Sequence, residues 1–188
     1  MWVANLEITM SRKGSMILPI AMVLFFFVGC QDREGVAELE AMRVQADVEE
    51  QNKKMAVEIF VAIDSGDFDR LNELFAEDFS LTVPGLPEPL RKDILFQLIK
   101  SHYLAFPDWI HVIENVLADG DMVVVKLNQN GTHEAEYEGI PATGIKATLP
   151  AMHLFTVMNG KVVSWFAVED YLGFYMQLGM ELTSKDED

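Results

Sequence analysis

The sequence predicts an α+β fold in which N-terminal helices pack on a curved antiparallel sheet. Between residues 36 and 105, apolar side chains recur with the period of amphipathic helices. Between residues 109 and 169, they form β-rich runs joined by Asp119-Gly120 and Asn159-Gly160, which are typical hairpin turns. Helices that precede a block of strands, without an internal repeat, favour α+β over α/β architecture.

Three helices are expected before the sheet. The first covers 36–63, a stretch without Pro or Gly, and ends at Asp64-Ser65-Gly66. The second covers 68–75 and follows Asp67, a residue type suited to capping a helix. The third covers 90–105 and ends before Pro107, because the residue that precedes a proline avoids helical geometry.

Five strands and a closing helix complete the predicted order. A short strand over 79–83 lies between the second and third helices, and the proline-rich stretch 84–89 after it must be a loop. The remaining strands are expected at 109–118, 122–128 (with continuation towards 137), 145–158 and 161–169, with the helix at 170–178. Pro150 should lie at a bulge or a sheet edge, since it cannot donate a backbone hydrogen bond.

The amino-acid composition of the chain limits the classes of function that it can have. The chain has 188 residues, of which 50% are hydrophobic, enough for one folded domain with additional segments. The formal net charge is -16. Such an acidic surface repels phosphate backbones and anionic lipid heads, so nucleic-acid binding is excluded as an expected function.

The N-terminal segment resembles a bacterial lipoprotein signal. Arg12 and Lys13 precede an apolar run over 16–28, which is too short to span a bilayer comfortably. Gly29 and Cys30, the one cysteine in the chain, then match the end of a lipobox. The resemblance implies cleavage before Cys30 and lipidation of that cysteine. A plain secretory signal and a buried apolar helix are the alternatives.

These features give a domain layout and a location. We expect a signal peptide at 1–29, a lipidated cysteine and tether at 30–50, a folded domain at 51–182 and an acidic tail at 183–188. Met10 is a more natural start than Met1 for a signal of this kind. The expected location is the bacterial cell envelope, with a lipid anchor in the membrane. Gln31 after the cysteine favours the outer membrane or periplasmic face.

A series of short motifs between residues 102 and 179 carries a family resemblance. Their order and spacing resemble the SnoaL-like polyketide (ester) cyclases of the nuclear transport factor 2-like superfamily, over roughly residues 55–180. The motifs are His102-Tyr103-Leu104-Ala105-Phe106-Pro107-Asp108-Trp109, Gly131-Thr132-His133, the loop from Gly139 to Gly144, Asn159-Gly160, and Asp170-Tyr171-Leu172-Gly173 with Gln177-Leu178-Gly179.

The resemblance implies a cone-shaped fold with an apolar pocket at its wide end. It also implies a reaction without metal or coenzyme. In the cyclases, a pocket carboxylate removes a proton from a carbon flanked by carbonyls, and the enolate closes a ring on another carbonyl of the same molecule. Such chemistry requires a carboxylate against an apolar wall and hydrogen-bond donors for the oxyanion.

Asp170 and His153 are the candidate catalytic residues. Asp170 matches the family's D-x-L-G pattern and is the expected base, although an Asp here also suits a helix N-cap. His153 is the expected donor or proton relay, with a structural role as the alternative. Glu169 should face away from Asp170 and be solvated. His102 and His111 are expected at the surface or rim, and no histidine spacing indicates a metal site.

Several other side chains are expected to contact a ligand, with a role in the apolar core as the alternative. The candidates for this substrate-binding wall are Tyr103, Phe106, Trp109, Thr82, Trp165 and Phe166.

Two departures from the family pattern leave the function open. Thr82 and Val83 stand where many members have a His-Asn pair, and Ala167 stands where many have an additional Asp. Three functions therefore remain: a cofactor-free cyclase or isomerase, a non-catalytic binder of a small apolar or carbonyl compound, and a homodimeric protein-interaction module.

Overall fold

The computed structural model describes residues 17–183, and describes side chains from residue 33 onward. The predicted signal peptide before residue 17, the side chain of Cys30 and the tail at 184–188 lie outside the described residues. The chain divides into two compact units at Gln45 and Ala46. The second unit contains the sheet and the candidate site described below. Across residues 33–183, no helix is long and apolar enough to cross a membrane.

The described helices follow the predicted order. They are α1 (Ile17–Ser65), α2 (Phe68–Leu74), α3 (Lys92–Ala105) and α4 (Tyr171–Gln177). Asp67 caps α2 by accepting a hydrogen bond from the backbone N–H of Arg70 at 2.9 Å. Helix α1 ends where Gly66 adopts a φ of 68°, a left-handed conformation that glycine adopts without steric cost. Helix α1 is described from residue 17, whereas the sequence predicted a helix from residue 36.

Six strands form one sheet. They are β1 (Phe75–Thr82), β2 (Leu90–Arg91), β3 (Ile110–Asp119), β4 (Met122–Thr132), β5 (Lys146–Met158) and β6 (Lys161–Glu169), arranged in the order β2-β1-β6-β5-β4-β3. Strands β3 to β6 form an antiparallel meander. Strand β4 ends at residue 132, short of the predicted continuation to 137, because Pro141 and two positive-φ residues, Glu138 and Gly139, belong to an irregular loop.

The α+β class is confirmed, with helices packed against a curved sheet. The sheet is mixed and not purely antiparallel, because β1 pairs with β6 in parallel. Strand β1 comes directly after α2, and its parallel neighbour β6 is the last strand of the meander. The two paired strands are therefore far apart in the sequence. Register shifts between Ile113 and Asn115, and between Thr156 and Val157, bend the sheet as bulges do.

Pro150 lies in the middle of β5 by sequence, yet at a local edge of the sheet. Strand β6 ends at Glu169 opposite Ala151, so β5 has no strand on that side at Pro150. The carbonyl of Pro150 accepts the backbone N–H of Asp170 at 3.0 Å. The missing N–H of the proline therefore costs no ladder hydrogen bond.

The main core lies between α1 and one face of the sheet, here called the inner face. Its centre is Phe60 of α1, whose ring contacts the edges of Phe155 and Trp165 with centroids 5.9 Å and 6.0 Å away. Both aromatic residues are buried. The side chains of this core do not cover the end of the inner face near the C-terminal ends of α3 and β6.

A second, smaller core fills that end beneath α4. Phe106, Trp109 and Phe174 are its largest members. Gly131 of β4 makes this packing fit, because a Cβ atom there would lie 2.5 Å from Cε3 of Trp109. The two cores meet at Tyr103, which packs against both.

Candidate active site

A cavity of about 660 Å³ opens between α3 and the inner face of the sheet. Leucine, isoleucine and aromatic side chains form most of its wall, which suits a small organic ligand. Polar side chains converge in it from six elements: α3 supplies His102 and Tyr103, and four strands with α4 supply His111, Gln129, His153, Glu169 and Tyr171.

Glu169 is the central acidic group of the cavity. It is the last residue of β6 and its side chain is only 12% exposed. Its Oε1 accepts a hydrogen bond from Nε2 of Gln129 at 2.9 Å and lies 3.2 Å from Nε2 of His153. The phenol of Tyr171 also favours the charged form of the same carboxylate.

These hydrogen bonds keep Glu169 ionised. Burial, the largest single influence, raises the pKa of this carboxyl. The hydrogen bond and electrostatic interaction with His153, the hydrogen bond from Gln129 and the phenol of Tyr171 together outweigh it. The pKa of Glu169 therefore lies below its usual range. The cavity consequently contains a carboxylate that is deprotonated at neutral pH and shielded from water.

Trp165 fixes the protonation of His153. The indole Nε1 of Trp165 donates to Nδ1 of His153 at 3.0 Å. An indole N–H is a donor only, so Nδ1 must be the unprotonated nitrogen. A neutral His153 then carries its proton on Nε2, which faces Glu169. His153 is buried, and its two contacts orient it as a donor towards the carboxylate.

A second carboxylate–histidine pair lies at the same cavity. Oδ1 of Asp64 is 2.5 Å from Nδ1 of His111 and accepts the hydroxyl of Tyr103 at 3.1 Å. Oδ2 of Asp64 accepts the backbone N–H of His111 at 3.2 Å. Asp64 thus joins the end of α1 to α3 and β3. His111 is the cross-strand partner of Gln129, which bonds to Glu169.

The tyrosines of the cavity remain protonated. Burial raises the pKa of Tyr171 far above its usual range, and the charge of Glu169 adds to this effect. Burial and the nearby Asp64 likewise raise the pKa of Tyr103. Both phenols therefore act as hydrogen-bond donors. Within the described residues, no group of three or more His, Cys, Asp or Glu is placed to hold a metal ion.

Comparison with known proteins identifies the family. The model of the SnoaL-like polyketide cyclases matches residues 54–178. The chain belongs to this family. The N-terminal segment before residue 54 lies outside the match.

Individual relatives agree with the family match. Aklanonic acid methyl ester cyclase DnrD of Streptomyces peucetius is 36% identical over 76 residues, which are 40% of this chain and 52% of the relative. The match thus spans about half the length of that curated relative. IdmH of Streptomyces antibioticus, a proposed polyketide cyclase, has 25% identity and a TM-score of 0.65 over 69% of this chain and 99% of its own. A proposed SnoaL-like polyketide cyclase from Jannaschia sp. CCS1 has 22% identity and the same TM-score over 72% and 96%.

The SnoaL-like domain places four of the predicted site residues at the cavity. His153, Tyr103, Trp109 and Trp165 line it. Trp165 and His153 also bond to each other, which the sequence did not indicate.

Asp170 lies outside the cavity. It is exposed and caps α4, where its Oδ1 accepts the backbone N–H of Gly173 at 2.9 Å. The position changes from strand to helix cap between Glu169 and Asp170, and only Glu169 retains the inward orientation of β6. Glu169, which the sequence had suggested was solvated, is therefore the carboxylate in the cavity.

Three predicted wall residues also lie elsewhere. Side chains alternate along a strand, so Trp165 and Ala167 face inward while Phe166 between them is 40% exposed on the outer face. Thr82 is exposed for the same reason, because Leu81 before it faces inward. Phe106 is fully buried in the second core and does not line the cavity.

The sequence did contain signals for the residues that were missed. On β6, Glu169 alternates in phase with Trp165, which was expected to contact a ligand, and with Ala167, which the structure shows to be buried. Trp109, just before β3, lies two residues from His111, so the extended chain puts them on one face. On α3, His102 continues the face of Leu95 and Ile99. His102 and His111, which were expected at the surface or rim, both line the cavity.

Proposed function

We propose that this SnoaL-like protein is a cofactor-free acid/base catalyst, a cyclase or isomerase of small carbonyl compounds, with Glu169 as its base. The supporting observation is the ionised carboxylate of Glu169 inside an otherwise largely apolar cavity. A desolvated carboxylate of this kind is a typical general base for removing a proton from carbon.

The hydrogen bonds on Glu169 restrict the carbon acids it can attack. A carboxylate whose pKa is lowered is a weak base, so only an acidic C–H, such as one flanked by two carbonyls, is a suitable proton source. The carboxylates of Glu136, Glu138 and Glu169 line the cavity, and among its described lining residues there is no Lys or Arg. A neutral ketone or ester therefore fits better than a free acid.

In the proposed reaction, Glu169 takes the proton and the carbon becomes an enolate. The enolate carbon forms a bond to a second carbonyl carbon of the same molecule, and the electron pair of that carbonyl moves to its oxygen. The protonated Glu169 then returns the proton to this alkoxide. His153 and Gln129 hold the carboxylate in place throughout. Substrate and product are isomers, so no oxidant or reductant is consumed.

The names of the relatives are consistent with this proposal, since DnrD is an aklanonic acid methyl ester cyclase. Its methyl ester is a neutral carbonyl compound. A direct test is to incubate the protein with aklanonic acid methyl ester and follow ring closure by chiral chromatography with mass detection. A product of unchanged mass that forms faster than in buffer supports the proposal. No acceleration with this ester or with simpler β-keto esters contradicts it.

A non-catalytic binder is the second candidate. Ala167 lines the cavity at the position where many family members have an additional Asp, so this cavity has fewer acidic groups for proton transfer. The same experiment separates the two functions. Saturable binding of the ester, measured by calorimetry, without any turnover favours the binder.

We also propose that the mature protein is anchored to the cell envelope through a lipid on Cys30, as the sequence of residues 12–30 suggests. The test is expression in a bacterial host with and without globomycin, together with Cys30→Ser. Processing and a lipid-sized mass increase that both disappear in the variant support the anchor. An unlipidated, water-soluble product in the native host contradicts it.

A homodimer through the outer face of the sheet is a further proposal. Exposed Phe166 and Val168 on β6 lie beside Leu154 and Met152 on β5, so apolar side chains adjoin across two strands. Light scattering should give a dimer mass for the wild type and a monomer mass for Phe166→Glu. A monomeric wild type at micromolar concentration contradicts the proposal.

A further inference from the structure

His111 of β3 has one ring nitrogen without a protein partner at the cavity. The residue lines the cavity, and its side chain is 6% exposed. Its Nδ1 lies 2.5 Å from Oδ1 of Asp64, whereas no described group forms a hydrogen bond with its Nε2. Among the described residues, the unpartnered side-chain nitrogens that are closed off from solvent belong to His102 and His133. Nε2 of His111 is therefore both unpartnered and accessible.

Packing leaves the cavity as the approach to this nitrogen. The ring of Phe60, at the centre of the main core, lies 5.1 Å from the imidazole of His111 between centroids. Asp64 holds the Nδ1 edge of the imidazole, and Tyr103 donates to the same carboxylate oxygen at 3.1 Å. Nδ1 and Nε2 point away from each other across the ring, so Nε2 points away from Asp64. Gln129, the cross-strand neighbour of His111, and Tyr103 both line the cavity.

Asp64 sets which nitrogen of His111 carries the proton. A carboxylate accepts hydrogen bonds and does not donate them, so Nδ1 is the protonated nitrogen. The backbone N–H of His111 donates to the other oxygen of Asp64 at 3.2 Å, so that two contacts hold the residue and the carboxylate together. In the neutral ring, Nε2 then has a free lone pair. His111 offers the cavity an acceptor, in contrast to His153, whose Nε2 donates to Glu169.

We propose that Nε2 of His111 accepts a hydrogen bond from a hydroxyl group of the cavity's ligand, with Asp64 as the residue that positions it. This inference rests on the proposed function, because it assumes that the cavity binds a small carbonyl compound, and it adds that this compound carries a hydroxyl. Oε1 of Glu169 already accepts from Gln129 and faces His153, whereas Nε2 of His111 has no donor. A site with an unsatisfied polar group discriminates against ligands that cannot satisfy it.

The test compares 2-hydroxy-9-fluorenone with 2-methyl-9-fluorenone, two ketones of nearly equal shape of which only the first can donate a hydrogen bond. Dissociation constants are measured by quenching of tryptophan fluorescence in the full-length protein, since Trp109 and Trp165 line the cavity. The pH is about 8, above the ordinary pKa of histidine. His111→Asn removes Nε2 but keeps a side-chain N–H that can donate to Asp64. Val112→Asn is the control, because it places the same side chain on the outer face of β3, where Val112 is 47% exposed.

We expect His111→Asn to weaken binding of the hydroxyl probe about tenfold relative to the methyl probe, the effect of one buried hydrogen bond. Val112→Asn should leave the ratio of the two dissociation constants unchanged. Comparing the probes within each protein isolates the interaction between residue 111 and the hydroxyl. An unchanged ratio in His111→Asn, or an equal change in both variants, overturns the inference while the proposed function stands. A wild-type protein that binds neither probe nor the ester overturns both.

The positioning role of Asp64 has a spectroscopic test that needs no ligand. Long-range ¹H–¹⁵N spectra of the wild type at the same pH should show a protonated Nδ1 and an unprotonated Nε2 for His111. Asp64→Leu has a side chain of similar size that cannot accept a hydrogen bond, so the proton is no longer held at Nδ1 and the Nε2 resonance should shift. Circular dichroism confirms that the variant is folded. A protonated Nε2 in the wild type, or an unchanged Nε2 resonance in the folded variant, overturns this role of Asp64.

Discussion

The indole N–H of Trp165 donates to Nδ1 of His153 at 3.0 Å, and this contact determines which ring nitrogen of His153 carries its proton. Because Nδ1 is occupied as an acceptor, Nε2 is left to donate to Glu169. Three residues from two neighbouring strands therefore form one directed series of hydrogen bonds that ends on the carboxylate in the cavity.

This series predicts the tautomer of His153. Long-range ¹H–¹⁵N NMR spectra should show a protonated Nε2 and an unprotonated Nδ1. In Trp165→Phe, the acceptor at Nδ1 loses its partner, so the Nδ1 resonance should move while the fold is retained. A protonated Nδ1 in the wild type would contradict the assignment.

Replacement of Glu169 should affect activity far more than replacement of Asp170. Glu169→Gln preserves the shape of the side chain but removes the base, so turnover should fall about a hundredfold or more. Asp170→Asn keeps the N-cap of α4, since Asn caps as well as Asp, and should leave both turnover and stability unchanged.

Asp170→Ala extends this comparison to stability. Loss of the cap should lower the free energy of unfolding by about 1 kcal/mol, as measured by urea denaturation, without a change in turnover. If Asp170→Asn reduces turnover as strongly as Glu169→Gln, the assignment of the base to Glu169 is wrong.

Acid should destabilise the domain through His102. The pKa of this histidine falls from an ordinary value near 6.5 to about 4 on folding, because burial disfavours the charged ring. Between these two values the unfolded chain binds a proton that the folded protein does not, so stability falls as pH falls from 6.5 towards 4. The loss attributable to this residue is on the order of 3 kcal/mol.

Denaturant titrations at several pH values measure this effect. His102→Phe should show a flatter dependence of the unfolding free energy on pH over the same interval. NMR titration of the ring in the wild type should show no protonation above about pH 5. Ordinary titration near pH 6.5 would be inconsistent with the buried position of the ring.

Gly131 should not tolerate a side chain. Its Cβ would meet Trp109 at 2.5 Å and the Cβ of Phe106 at 3.2 Å, so Gly131→Ala should cost about 1–3 kcal/mol in thermal or chemical unfolding. It should also weaken probe binding, because Trp109 lines the cavity. Gly35→Ala is the control. Nothing lies within 4 Å of its added methyl, and Ala favours a helix more than Gly does.

The sequence by itself determined the order of elements and the family. Hairpin turns at Asp119-Gly120 and Asn159-Gly160, the helix cap at Asp67 and the stop before Pro107 are local signals, so they can be recognised without knowing what they pack against. The motifs between residues 102 and 179 likewise indicated the SnoaL-like family, which the family match over residues 54–178 confirms.

Tertiary structure decided which side chains share the cavity. Asp170 was separated from it because the backbone turns from strand to cap after Glu169, a change of one residue that reverses the direction of a side chain. His102, His111 and Glu169 come from α3, β3 and β6, and only the packing of these elements brings them to one place. Contacts between residues far apart in sequence leave no local pattern. The elements and four of the cavity residues could therefore be predicted, but the convergence of Glu169, His102 and His111 could not.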